Sequence, residues 1–428
     1  MAGHRSKAWI FGVAVALAVG GALFGGAKGL PAKAGPSCIG FSHGQYVSNV
    51  VFAGQVHVFE YNSCDSALEH DWFSGSWHSE ILDGSGATPY SGNQTTNSVG
   101  KWNRSIVYGG QLHNFYYDDV AGSLRHAWWN GSTWNFEYLD GNSSSYTGHS
   151  VDFKVGYSED TTSHSVFTFG SQLQLVYPDT CNSCFFGGSH EKLRHAYYNG
   201  AWHFETLDGA GTGLTNGRTN NDVGTDASGV AAPNGQVHVF YSNEGSNLRH
   251  GWWDGSAWHF EYLDGASATN GGTFDAVGGD SSAIVYNGQV HDFYIDHDAR
   301  SVRHAWWNGT AWHFEAVDGG GGVATGATGD SVGFYNSTVV YNGQLQLFTR
   351  DNTSDTLRHA WFSGTWHAEL LDGQGSGYPG HSVGDVGEFS SALVFAGQLQ
   401  DYYTDFPSGP FTLREAFFNG STWGFINI

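Results

Sequence analysis

The chain has 428 residues, of which 63 are Gly, 16 % are aromatic and only 13 % are charged. That balance describes many turns between short, aromatic-rich strands rather than long helices. A net charge of −23 with only 17 Lys and Arg excludes the cationic surface that nucleic acids or anionic membranes require.

Residues 1–34 read as an export signal. Arg5 and Lys7 precede an apolar, Gly/Ala-rich run from Ala8 to about Ala27, and Ala32-Lys33-Ala34 is a small-x-small cleavage pattern. Cleavage after Ala34 predicts a secreted, extracellular protein of residues 35–428; an uncleaved N-terminal anchor is the alternative. Export permits disulfides. Cys38 with Cys64 would tie the mature N-terminus to the first repeat. Cys181 and Cys184 form a C-x-x-C pair within one loop, with neither a thioredoxin-like context nor further zinc ligands nearby, and read as a local disulfide.

From there the chain is one phrase repeated seven times. The phrase LRHGWWDGSAWHFEYLDG at 248–265 has counterparts starting at 68, 124, 193, 302, 357 and 413. The steps are 56, 69, 55, 54, 55 and 56 residues, the long one belonging to the third repeat with its Cys181/Cys184 loop. A second phrase, as in VAAPNGQVHVFY, precedes each copy. A Val-Gly comes earlier still, at 99, 155, 223, 277, 332 and 386, with Ile39-Gly40 in that place in repeat one.

Each unit reads as four strands rich in Val, Tyr, Phe and Trp, with a two-residue Asn-Gly or Gly-Gly turn after the first, a variable polar loop after the second and an Asn-Gly or Ser-Gly turn after the third. Four antiparallel strands with apolar side chains on both faces describe a blade pressed between neighbours. The expected fold is all-β, a seven-bladed β-propeller of four-stranded antiparallel blades, with blades at about 36–84, 98–141, 154–209, 222–265, 276–319, 331–373 and 385–428. The chain finishes on the fourth strand of its own unit, so no strand exchange closes the ring, and the Cys38–Cys64 staple is the candidate substitute.

The third and fourth strands can be registered by their turns. Trp253 and Trp258 flank one turn, which sets His250 opposite Glu261. Tyr198 and Trp202 flank a turn one residue shorter, which sets His195 opposite Glu205. The same holds for His70/Glu80, His126/Glu137, His304/Glu315 and His359/Glu369, and only the seventh repeat departs, with Glu415 opposite Ile426. Such pairs are either cross-strand architecture or a polar patch that binds a ligand. Strand two adds His57, His113, His238 and His291, with Gln174, Gln346 and Gln400 elsewhere. Arg125, Arg194, Arg249, Arg303, Arg358 and Arg414 precede the third-strand His position by one and therefore point to the opposite face.

A Trp opens the fourth strand of every unit, either as core between blades or as a flat face for a sugar ring whose hydroxyls meet fixed polar groups. The candidate carbohydrate-binding residues are His126, Glu137 and Trp134; His195, Glu205 and Trp202; His250, Glu261 and Trp258; His304, Glu315 and Trp312; His359, Glu369 and Trp366; and Arg249 and Arg303.

The repeat grammar, for example Leu248-Arg249-His250, Trp253-Asp254-Gly255 and Trp258, resembles that of bacterial and fungal fucose-binding propeller lectins, including the PLL-like seven-bladed group, and is similar to tectonin-type repeats over about residues 39–428. The resemblance implies a propeller, several equivalent sugar sites between adjacent blades and multivalent binding of glycans or cell-surface glycoconjugates. Six-bladed fucose lectins carry an Arg on strand two where this chain has His or Gln, so fucose itself is not implied.

An enzyme needs one asymmetric constellation, and nearly every acid, base or nucleophile here recurs by blade. There is no H-E-x-x-H or P-loop. No catalytic residue, resident metal or cofactor is expected; Ca²⁺ at Asp296-His297-Asp298 or Asp351-Asn352 lacks a full ligand spacing. The expected function is lectin-like. A protein-binding scaffold is the alternative. An enzyme would show an irregular funnel on the axis, with Lys101, Lys154, Arg218 and Asp275 as its candidate linker residues.

Overall fold

The computed structural model describes residues 43–90, 92–157, 164–184, 188–243, 247–269, 272–406 and 409–428. The export-signal segment, Cys38 and Ile39-Gly40 lie outside the described residues, as do the side chains of Cys181 and Cys184. No helix among the described residues is long and apolar enough to cross a membrane.

The fold is a seven-bladed β-propeller. Seven four-stranded antiparallel sheets each take their strands in chain order. Blade 1 comprises β1 (Gln45–Phe52), β2 (Gln55–Asn62), β3 (Ala67–Phe73) and β4 (Trp77–Asp83). Blade 7 closes the chain with β25 (Asp385–Phe395), β26 (Gln398–Phe406), β27 (Thr412–Phe418) and β28 (Trp423–Asn427). In blade 3 the expected long loop is a hairpin extension: β10 (Gln172–Cys184) pairs with β11 (Gly188–Tyr198) out to Cys184 opposite Gly188.

The turn-based register holds in every blade. His70, His126, His195, His250, His304 and His359 face Glu80, Glu137, Glu205, Glu261, Glu315 and Glu369, and Glu415 faces Ile426. One expectation is corrected. The Val-Gly place of blade 1 is filled by His43-Gly44, not Ile39-Gly40. Gly44 has φ +86°, and a Cβ there would meet Leu413 Cα at 2.9 Å; Gly100 has φ +112°, and its Cβ would meet Leu68 Cα at 2.8 Å. Each glycine thus lets the chain pass close over the third strand of the preceding blade.

The core lies between blades. Each fourth-strand Trp meets aromatic rings of the preceding blade edge-on: Trp134 meets Phe59 at 6.0 Å, Trp312 meets Phe240 at 5.8 Å and Trp423 meets Phe348 at 5.9 Å. Trp77 meets Tyr402 of blade 7 at 6.0 Å, so the same contact closes the ring without strand exchange. Val47, Val56 and Val58 of blade 1 pack with Leu393, Tyr402 and Leu413 of blade 7.

Candidate ligand grooves between the blades

Two polar networks cross each interface. The inner one uses the arginines. The Asp that ends the fourth strand of one blade accepts from the Arg of the next: Asp83 from Arg125, Asp208 from Arg249 and Asp264 from Arg303, each at 2.9 Å. Arg194, Arg358 and Arg414 bind Asp140, Asp318 and Asp372 in the same way. A second-strand Tyr donates to the same carboxylate, as Tyr241 does to Asp208 at 2.7 Å. Arg249 and Asp208 are fully buried, and the guanidinium lies over the Tyr262 ring at 4.3 Å. Arg249 and Arg303 are therefore on the face away from the His–Glu pairs, and the structure does not bring them into a groove.

The outer network contains the His–Glu pairs. Third-strand His Nδ1 lies 2.8–3.0 Å from the Glu carboxylate in all six blades that carry the pair, for example 2.9 Å in His250–Glu261 and 2.8 Å in His126–Glu137. Behind it, His238 Nδ1 lies 2.9 Å from His250 Nε2, and His57, His113 and His291 meet His70, His126 and His304 likewise. Gln174 and Gln346 take that place at 2.8 and 2.9 Å from His195 and His359. A carboxylate that accepts from His250 Nδ1–H leaves Nε2 to accept from His238 Nδ1–H. His238 Nε2 is then a buried acceptor without a partner, whereas His113 Nε2 lies 3.2 Å from Tyr108 O, which can only accept. Burial, reinforced by the charge of the neighbouring ring, pushes His57, His113, His238 and His291 down to about 3, so all four are neutral near neutral pH.

The Trp that completes each pair comes from the following blade. Trp258 Nε1–H donates to Glu205 at 3.3 Å, Trp366 to Glu315 at 2.7 Å and Trp423 to Glu369 at 3.1 Å. Burial pushes Glu205, Glu315 and Glu369 up, but the hydrogen bonds from His and Trp outweigh it and hold all three below the ordinary value. Most of these Trp residues are core: Trp134, Trp258, Trp366 and Trp423 are buried.

The half-buried rings of the grooves come from the end of the third strand. Trp252 and Trp307, both half-buried, line a cavity of about 570 Å³ between blades 4 and 5 with Gln236, His238, His250, Glu261 and Trp312. Equivalent cavities of about 710, 840 and 300 Å³ lie between blades 2 and 3, 3 and 4, and 6 and 7. Sequence reasoning missed these Trp residues and the Gln that opens the second strand, although the Gln recurs in all seven repeats. It also missed a linker Tyr that covers three grooves. Tyr90, Tyr146 and Tyr378 donate to Glu80, Glu137 and Glu369 at 2.5, 2.5 and 2.6 Å. The Glu80 side chain is 8 % exposed under its Tyr, whereas that of Glu205, which has no such hydrogen bond, is 42 % exposed.

The linker residues singled out for an enzyme do not converge. Lys101 pairs with Asp119 at 2.6 Å, Lys154 lies over Tyr157, and Arg218 donates to Leu207 O beside Phe260. Asp275 N–H donates to Thr273 Oγ1 at 3.2 Å. The candidate Ca²⁺ carboxylates cap turns: Asp296 accepts from Ala299 N–H and Asp351 from Thr353 N–H.

No protein-family description matches the chain, and no curated protein matches it as a relative. Solved structures similar to it include Aleuria aurantia lectin in complex with Fucα1-6GlcNAc, at 13 % identity and TM-score 0.46 over 91 % of this chain and 97 % of that one. AofleA of Arthrobotrys oligospora is similar at 10 % identity and TM-score 0.43 over 91 % and 87 %. A puromycin-hydrolysing peptidase of Mycobacterium tuberculosis is similar at 10 % identity and TM-score 0.53 over 91 % of this chain and 57 % of that one. The likeness to these structures is one of propeller fold.

Proposed function

We propose that the chain is a secreted, multivalent carbohydrate-binding protein whose grooves between blades take sugar rings. One observation carries the reading. In each groove, half-buried aromatic side chains from the ends of two third strands line the cavity with the His–Glu pair, as Trp252 and Trp307 do with His250 and Glu261. A sugar ring has the matching chemistry: an apolar face for the indole and hydroxyls for the carboxylate, imidazole and Gln. Grooves repeated around one ring gain by avidity what each lacks in affinity.

One observation weighs against an enzyme: the polar groups of the grooves recur by blade. A glycan array with sugar-column retention tests the proposal. Retention that free sugar competes away is expected, and absence of binding to every common monosaccharide and polysaccharide would sink it.

A further inference from the structure

Blade 1 departs from the repeat at five places, and all five meet on the face it turns to blade 7. His43 stands where six blades have a buried Val. Glu60 replaces the Tyr (Thr349 in blade 6) and Glu69 the Arg of the inner network. Asp71 replaces Ala or Gly, and Ser79 replaces Phe or Ala. Among the described residues the closing interface therefore has no Arg–Asp pair. It has three buried carboxylates instead, Glu60 at 1 %, Glu69 at 5 % and Asp71 at 6 % exposure.

His43 Nδ1 lies 3.1 Å from Glu60 Oε1 and 3.0 Å from Glu69 Oε2, with all three atoms within 4.8 Å of one another. Two atoms bound to one tetrahedral ion at ~2.0–2.2 Å stand about 3.4 Å apart, close to the two His43 separations. The carboxylates are already oriented by other donors: Gly44 N–H to Glu60 Oε2, Ser79 O–H to Glu69 Oε1, and Asn62 Nδ2–H to Glu69 Oε2 at 2.7 Å. Such outer-shell bonds are what hold metal ligands in place. A single proton on His43 is shared between two carboxylates. Asp71, two residues along β3 on the same face, keeps a buried Oδ2 with no partner. The cluster sets three buried carboxylates against one imidazole, and the side chain of His43, 47 % exposed, marks an entry path from solvent.

We propose that His43, Glu60 and Glu69 bind a divalent transition-metal ion of the Zn²⁺ type that fastens blade 7 to blade 1. One imidazole and two carboxylates with an open fourth position suit such an ion, whereas Ca²⁺ takes six to eight oxygens. The fastening runs through the backbone. His43 N–H donates to Phe411 O at 3.2 Å, and Thr404 O–H donates to Gly44 O, so the segment entering β1 is docked on blade 7. The metal would tie it to β2 and β3 of blade 1.

The test uses the full purified chain, stripped with a chelator and titrated with Zn²⁺ or Ca²⁺. It is compared with His43→Val, which restores the residue of the other six blades, and with Glu69→Gln, which keeps the shape. Bound metal is counted by mass spectrometry and stability read as Tm. The wild type is expected to bind one Zn²⁺ more than either variant, and its Tm to rise by about 3 °C at ~100-fold excess over Kd. Equal stoichiometry in wild type and a folded variant, no Tm shift with Zn²⁺, or an equal shift with Ca²⁺ would overturn the proposal. Sugar binding enters none of these readouts.

Discussion

The two networks that cross each interface use similar residues to opposite ends. The inner Arg–Asp pair is sealed from water, present at six interfaces and closed by further donors. The outer His–Glu pair is half open, varies in its second-strand partner between His and Gln, and is covered by a Tyr in three blades only. A buried ion pair without access to solvent can only hold the ring together. A pair at the floor of a Trp-walled cavity is available to a ligand. The largest expected effect therefore belongs to the inner network. Arg249→Ala leaves Asp208 charged and buried, and should cost ~3–5 kcal/mol in chemical denaturation. A loss under ~1 kcal/mol would mean that the inner pair is not what holds blades 3 and 4 together.

Acid should attack the outer network. The second-strand histidines are held at about 3, below the ordinary 6.5 that they regain on unfolding. Between those values the unfolded chain binds more protons. The stability from keeping them neutral is thus fully present above pH 6.5 and is lost as pH falls toward 3. His238→Gln, which copies the residue type of Gln174 and Gln346, removes one such group. From pH 7 to pH 5 the variant should lose about 2 kcal/mol less than the wild type. Equal losses would contradict a neutral, buried His238.

The fold is legible in the sequence because its signals are local. A two-residue turn and the alternation of a strand fix which residues oppose each other inside one hairpin, so His250 and Glu261 can be paired from spacing alone. The inter-blade partners cannot, because they join residues about 40 to 75 positions apart in different repeats. Spacing groups His250 with Trp258 of its own blade, yet the ring that meets it is Trp312 of the next, at 5.0 Å. The pattern carries a trace of this. The Arg is present in repeats two to seven and the Asp of Leu-Asp-Gly or Val-Asp-Gly in repeats one to six, the offset by one that pairing between successive blades requires. His43 escapes a reading of the repeat because Ile39-Gly40 imitates the motif four residues early. Only the close approach of Gly44 to Leu413 sets the right alignment.

A smaller effect separates binding from stability. Glu261 is 28 % exposed in its groove, so Glu261→Gln should change stability by under ~1 kcal/mol. It should weaken sugar binding in that groove about tenfold, by loss of a charged acceptor. Titration of a monovalent sugar would read this, since avidity across the remaining grooves would mask it on a column. Unchanged affinity at every groove would return the His–Glu pair to architecture.

The smallest effect tests the covered grooves. Tyr378 O–H donates to Glu369 Oε2 at 2.6 Å while His359 and Trp423 donate to Oε1. Tyr378→Phe deletes one of the three donors and should cost about 1 kcal/mol at pH 7. Burial pushes Glu369 up, and these hydrogen bonds together hold it below the ordinary value. A carboxylate held low stabilises the fold above its unfolded pKa and stops doing so as pH falls through its folded one. The deficit of the variant should therefore be largest near neutral pH and shrink below about pH 4. Thermal denaturation across that range reads it. A deficit that persisted unchanged in acid would mean that Tyr378 acts by packing, and that the difference between covered and open grooves lies in the shape of the linker rather than in the hydroxyl on the carboxylate.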